Sequence, residues 1–151
     1  MDDKLFAVRA AEPGDADAWQ RQRCALWPDA DDDHAGDVEG YFGPGVPGLD
    51  RVLIAWAGAE MAGFAELSIR PYAEGCDTRG VGFLEGWYVA PDYRERGVGR
   101  ALVSAAEQWA RSQGCQEFAS DAEPDNELGR AAHVACGFEE VGLIRCFRKP
   151  L

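Results

Sequence analysis

Residues 89–102 read Val-Ala-Pro-Asp-Tyr-Arg-Glu-Arg-Gly-Val-Gly-Arg-Ala-Leu. The apolar run before them, from Gly82 to Val89, has the character of a central strand buried on both sides, interrupted only by Glu85. Pro91 ends that strand. Downstream, Val98, Ala101, Leu102, Ala105, Ala106 and Trp109 recur at the spacing of a core-facing helix over 98–113, closed by Gly114. Between strand and helix stands Arg94-x-x-Gly97-x-Gly99. Glycines at such a junction allow close approach of backbone N–H groups, and a helix start adds unpaired donors and the positive end of a dipole. The turn therefore suits a diphosphate, and with it a nucleotide-derived cofactor.

Working outward, Leu5–Arg9 reads as a first strand. A helix follows Pro13-Gly14, with Asp15 at its N-cap, Trp19 and Leu26 on one face, and its end before Pro28. A second short helix is expected over 33–42, then an irregular loop over 43–48. Strands at 51–56 and 61–70 are joined by the hairpin Ala57-Gly58-Ala59-Glu60. In the second of these, Glu66, Ser68 and Arg70 alternate with Leu67 and Ile69, which predicts one polar face. After the long helix come a short strand at 117–121, a helix at 126–136 closed by Gly137, and a last strand at 140–147. The order β-α-α-β-β-β-α-β-α-β, with hairpins first and one parallel crossover through the long helix, predicts an α+β or mixed α/β sheet.

The chain has 151 residues, 46% hydrophobic and 28% charged, as expected for one globular domain spanning 1–151. No apolar run approaches the roughly 20 residues of a membrane helix, and the start lacks a secretory pattern, so a cytoplasmic location is expected. Five scattered cysteines without a C-x-x-C pair fit reduced thiols there. A net charge of −12 opposes phosphate backbones, disfavouring nucleic acid, and attracts cationic partners. The charge is uneven. Asp29, Asp31, Asp32, Asp33, Asp37 and Glu39 crowd one segment, whereas Arg94, Arg96 and Arg100 surround the glycine turn. His34 beside the aspartates lacks the spacing of a cation-binding loop, and no metal site is expected.

No Gly-Lys-Ser/Thr follows the turn, which excludes a P-loop. Leu102 stands where a dinucleotide-binding motif requires a third glycine, and the preceding antiparallel strands do not belong to that fold. Arg94-x-x-Gly97-x-Gly99 instead resembles the acetyl-CoA signature of the GNAT superfamily of N-acetyltransferases. Asn126, then His133, then Gly137-Phe138 resembles the closing segment of the same superfamily, with His133 in place of the usual tyrosine. Leu26-Trp27-Pro28 followed by acidic residues, Ser68-Ile69-Arg70-x-Tyr72, Gly82-Phe-Leu-Glu-Gly-x-Tyr88-Val89 and Glu117-Phe-Ala-Ser-Asp121 together look like the aminoglycoside 6'-N-acetyltransferases, bacterial resistance enzymes.

That resemblance implies a mostly antiparallel twisted sheet with one splayed parallel strand pair and helices on both faces. It implies acetyl-CoA as cosubstrate, a polycationic aminoglycoside as acceptor, and a homodimer. Trp87, Tyr88, Val89, Arg94, Arg96, Gly97, Val98, Gly99, Arg100, Asn126 and His133 are then the cofactor-binding candidates. Trp27, Asp32, Asp33, Tyr72, Glu85 and Asp121 are the acceptor-binding candidates. An aliphatic ammonium with a pKa of about 10 must lose its proton before attacking a thioester, so a base is required. Asp121 is the candidate base and Glu85, a lone charge in an apolar strand, the candidate amine anchor. His133 could donate a proton or simply fill space. Two alternatives stand beside this reading: a relative acting on another amine, such as a polyamine or protein amine, and a non-catalytic binder of acyl-CoA or a cationic ligand.

Overall fold

The computed structural model describes residues 6–29 and 32–151. Leu5 and Asp31, both singled out above, lie outside them. In chain order the elements are β1 (Ala7–Ala10), α1 (Ala16–Leu26), α2 (His34–Phe42), β2 (Arg51–Ala57), β3 (Glu60–Arg70), β4 (Val81–Val89), α3 (Val98–Ser112), β5 (Phe118–Ser120) and α4 (Glu127–Ala135). The strands form one sheet in the order β1-β2-β3-β4-β5. The pairs from β1 to β4 are antiparallel and β4–β5 is parallel, because α3 carries the chain across one face between them.

Alternation along the strands divides the core between two faces. On one, Leu53, Ala65, Leu67 and Leu84 meet Val98, Leu102, Val103 and Ala106 of α3. On the other, Val52, Ile54 and Phe64 are covered by Trp19 of α1 and Val38 of α2. Trp19 is fully buried, with Tyr41 and Phe42 edge-on to its ring. The helices start where their capping residues allow. Asp33 Oδ1 accepts from Gly36 N at α2, and Asn126 Oδ1 accepts from Gly129 N at α4.

Two expectations need correction, and a third holds in a different setting. Asp15 precedes α1, but its side chain does not cap the helix; it binds Arg9 at 2.6 Å and the Glu12 amide instead, and Arg9 holds its carboxyl below the usual carboxylate range. The polar face of β3 forms as expected but is largely buried: Glu66 is only 3% exposed beneath Arg23 and Trp19 of α1, and Ser68 is buried with Glu85 as its partner. The strand expected over 140–147 does not form. Beyond Phe138 the chain runs as an exposed arm without strand pairing, since β5 is short and its outer edge receives no strand from the described residues. The element order therefore ends in a helix, not a strand.

Candidate active site

Glu66 pairs with Gly86 and Leu67 with Leu84, so Glu85 is an extra residue on β4, a β-bulge. Phe83 pairs with Ser68, so alternation already places Glu85 on the face of Ser68 and Arg70 of β3. The bulge sets Gly86, not Glu85, opposite Glu66. Ser68 Oγ donates to its Oε1 at 2.5 Å, while Arg70 donates from Nε to Oε1 at 2.8 Å and from Nη2 to Oε2 at 2.7 Å. The Arg70 guanidinium also lies 3.5 Å over the Phe83 ring. Glu85 is thus fully engaged, which accounts for a charge in an otherwise apolar strand.

The parallel pairing of β4 with β5 ends at Leu84 and Ser120, yet β4 continues to Val89. Its edge is open from Glu85 onward, where the backbone can accept an added chain. Asp121 follows the last paired residue of β5 and is exposed, without a hydrogen-bond partner among the described residues. Its charge reaches Arg70, whose guanidinium is held above its usual range first by the hydrogen bonds it donates to Glu85 and further by the charges of Glu85 and Asp121. Two carboxylates and one guanidinium therefore meet at the end of the parallel pair.

His133 closes the same region. The Gly129 carbonyl can only accept, so Nδ1 donates to it at 2.6 Å, while Nε2 lies 2.8 Å from Ser120 Oγ, which also lies 3.2 Å from the Leu84 carbonyl. The imidazole stands edge-on to Trp87 and packs against Phe138. With both nitrogens held, it braces α4 against β5.

The turn before α3 has the conformation expected of an anion cradle. Gly97 has φ +84° and Glu95 φ +60°, left-handed conformations of the kind that build anion-binding turns. No side chain caps α3, leaving its first amides as free donors. A Cβ at Gly99 would lie 3.1 Å from the Trp87 ring, so glycine keeps the helix close to β4. Trp87 Nε1 is buried without a protein partner, a further donor beside this cradle. These features fit a pyrophosphate-bearing ligand. The arginines differ in availability: Arg94 Nε donates to Val89 O and Arg100 Nη2 to Ala135 O, whereas Arg96 lies over the Tyr93 ring.

Across the bulge lies the wall formed by α1 and α2. Trp27 stacks near-parallel to His34, whose Nε2 donates to the Trp27 carbonyl at 2.7 Å, and Arg23 lies 5.2 Å over its ring. Arg23 itself is buried, donating from Nε to Glu66 at 2.9 Å and from Nη1 to Asp37 at 3.0 Å. Of the acidic run, Asp37 is thus an internal partner, Asp33 caps α2 and Asp32 is exposed near His34. Tyr72 is exposed, its hydroxyl bonded to Glu74. Among the described residues no His, Cys, Asp or Glu group has the makings of a metal site.

Gly86 is the floor on which Trp27 rests: a Cβ there would lie 2.5 Å from the indole Cη2. Gly86→Ala must displace the ring. It is expected to lower stability by about 1–3 kcal/mol in a urea melt and to weaken the tryptophan signal in near-ultraviolet circular dichroism.

The model of a family described as the acetyltransferase (GNAT) family matches residues 15–138. The chain belongs to this family. It is 52% identical over 146 residues to the aminoglycoside N(6')-acetyltransferase type 1 of Klebsiella aerogenes, covering 95% of this chain and 96% of that one. The enzyme of the same name from Stenotrophomonas maltophilia is 44% identical, covering 95% and 93%. Among solved structures, AAC(6')-Iy in complex with the bisubstrate analog CoA-S-monomethyl-acetylneamine superposes with a TM-score of 0.88 at 37% identity, covering 97% of this chain and 99% of that one.

As a GNAT acetyltransferase, the chain carries the sheet, the glycine turn and the splay expected from its sequence. What sequence reasoning missed is the company these residues keep. Glu66, Ser68 and Arg70 are visible from sequence only as an alternating polar face, and Arg23 carries no signal at all. An Arg on one strand two residues from a Ser, opposite a lone Glu on the next, was the available hint.

Proposed function

We propose that this GNAT acetyltransferase transfers an acetyl group from acetyl-CoA to the 6'-amine of an aminoglycoside by direct attack in a ternary complex. The observation that carries this reading is the placement of Glu85 and Asp121 at the open end of the β4–β5 pair, continuous through Trp87 and His133 with the glycine turn of α3. The amides of α3's first turn, Gly97 to Arg100, would hold the pyrophosphate, and the free edge of β4 from Trp87 to Val89 the pantetheine arm. Acetyl-CoA supplies an activated acyl group whose sulfur departs readily.

Asp121 takes one proton from the ammonium, leaving a neutral amine and a carboxylic acid. The amine nitrogen then forms its bond to the acyl carbon as the carbon–sulfur bond breaks, and the second amine proton goes to solvent. Glu85, fixed by Arg70 and Ser68, accepts from the acceptor's polar hydrogens without moving. Trp27 offers an apolar face, and Asp32 adds attraction for a polycation. Purified protein, acetyl-CoA and kanamycin should release thiol. Release with polyamines alone would replace the acceptor assignment; kanamycin binding without turnover would replace catalysis with binding.

The exposed arm supports a homodimer. Leu143 is 78% and Phe147 92% exposed, and Val141 and Ile144 are exposed as well. Val141 seats against Gly75 and Glu140 pairs with Arg130, so the arm leaves the body from a fixed point. A chain with these apolar side chains and unpaired backbone groups finds its complement at the open β5 edge of a second copy. Removal of residues 143–151 should convert a dimer to a monomer in sedimentation analysis. A truncated chain that still sediments as a dimer would exclude the arm as the contact. Acetyl-CoA chemistry and free cysteines accord with a cytoplasmic setting. No helix among the described residues is long and apolar enough to cross a membrane.

A further inference from the structure

Arg70 is a cation standing in what is otherwise an acidic bay. Its guanidinium grips both oxygens of Glu85 and lies within reach of Asp121's charge. The groups facing it are Glu85 from β4 and Asp121 after β5, with Ser68 on its own strand and the Phe83 ring beneath. Its side chain is 41% exposed, and a half-exposed ion pair contributes little to stability. The fold thus has small need of this contact. The position matters for another reason: an amine reaching Asp121 must approach a fixed positive charge.

We propose that Arg70 is a positioning residue of the transfer site, which holds Glu85 rigid and disfavours the protonated form of an amine bound beside Asp121. This rests on the acceptor-amine reading above. A like charge nearby disfavours a second cation, so the bound ammonium releases its proton at lower pH than in water. Arg70 also offsets the charge of Glu85, leaving Asp121 as the carboxylate without a paired cation to receive that proton. The device weakens binding of the ammonium and assists its conversion to the nucleophile. The two effects have opposite signs, which separates this role from simple bracing.

The test compares wild type, Arg70→Gln and Arg70→Lys with kanamycin. In Arg70→Gln, calorimetric titration of kanamycin onto the protein alone should show binding about three- to tenfold tighter, because a repelling charge is gone. Turnover with acetyl-CoA should fall about tenfold at pH 7, with the rising limb of the kcat–pH profile displaced upward by about one unit. Arg70→Lys retains the charge and should restore the limb. Weaker kanamycin binding in Arg70→Gln together with an unmoved limb would reduce Arg70 to a brace and overturn the inference. A lysine variant whose limb matches that of the glutamine variant would overturn it as well. If wild type releases no thiol with kanamycin, the acceptor reading falls and this inference with it; an active wild type with an unmoved limb in Arg70→Gln defeats the inference alone.

Discussion

Asp121→Asn should lower kcat for kanamycin acetylation by about 10²- to 10⁴-fold, the range contributed by a positioned general base. Asparagine keeps the shape and hydrogen-bonding capacity of the side chain but cannot take a proton from an ammonium. Asp121 is exposed at the end of β5, so its replacement leaves the core and the α3 turn untouched. Thermal protection by acetyl-CoA should accordingly match wild type. The rate and the melting shift together check the assignment: an unchanged rate removes Asp121 from the mechanism, and a lost melting shift moves it to the cofactor site.

Arg23→Met should destabilise the protein by about 3–5 kcal/mol at pH 7, the cost of leaving a buried charge without its partner. Glu66 lies beneath α1 and receives hydrogen bonds from Arg23 Nε and Trp19 Nε1. Burial already pushes its carboxyl above the usual range, against the pull of Arg23 and the Trp19 hydrogen bond. Removing the guanidinium raises the folded-state value further. A carboxyl with a raised folded pKa favours the folded state fully below its unfolded pKa, and that contribution is lost as pH rises through the folded value. The deficit of Arg23→Met relative to wild type should therefore shrink as pH falls from 7 toward 5. Urea melts across that range measure it, and a gap that widens on acidification would exclude the assigned role of Glu66. Asp37 and the Trp27 ring also contact Arg23, so the acceptor-side wall should loosen in the same variant.

Much of the fold is legible in residue order because its signals are local. The stripe from Val98 to Trp109 specifies a helix facing a core, and Gly97 and Gly114 occupy positive-φ positions at its two ends. The crossover through α3 makes β4 and β5 parallel, as the element order requires. The site is legible in part. Glu85 and Asp121 announce themselves as charges at a strand's interior and end, and the structure brings them to one place. Asp33 and Asp37 look from sequence like their acidic neighbours, but one caps a helix and the other meets a buried arginine. A carboxylate's role depends on which cation reaches it, and that cation is often distant in sequence.

The terminal segment teaches the same lesson. Val141, Leu143, Ile144 and Phe147 have the composition of a strand, yet the chain offers them no edge at the right place. Strand propensity describes a side chain's fit to a sheet surface, not the presence of a neighbour to pair with.

From residue order alone follow the glycine turn, the long amphipathic helix, the antiparallel hairpins and the acidic character of the bay, since each depends on spacing within a few residues. The pairing that sets Glu85 beside Arg70, the burial of Glu66 under Arg23, the brace of His133 on Ser120 and the unpaired arm arise only when distant strands and helices are packed. They are relations between segments up to 47 residues apart, as in Trp19 and Glu66, and no local pattern encodes the register that joins them.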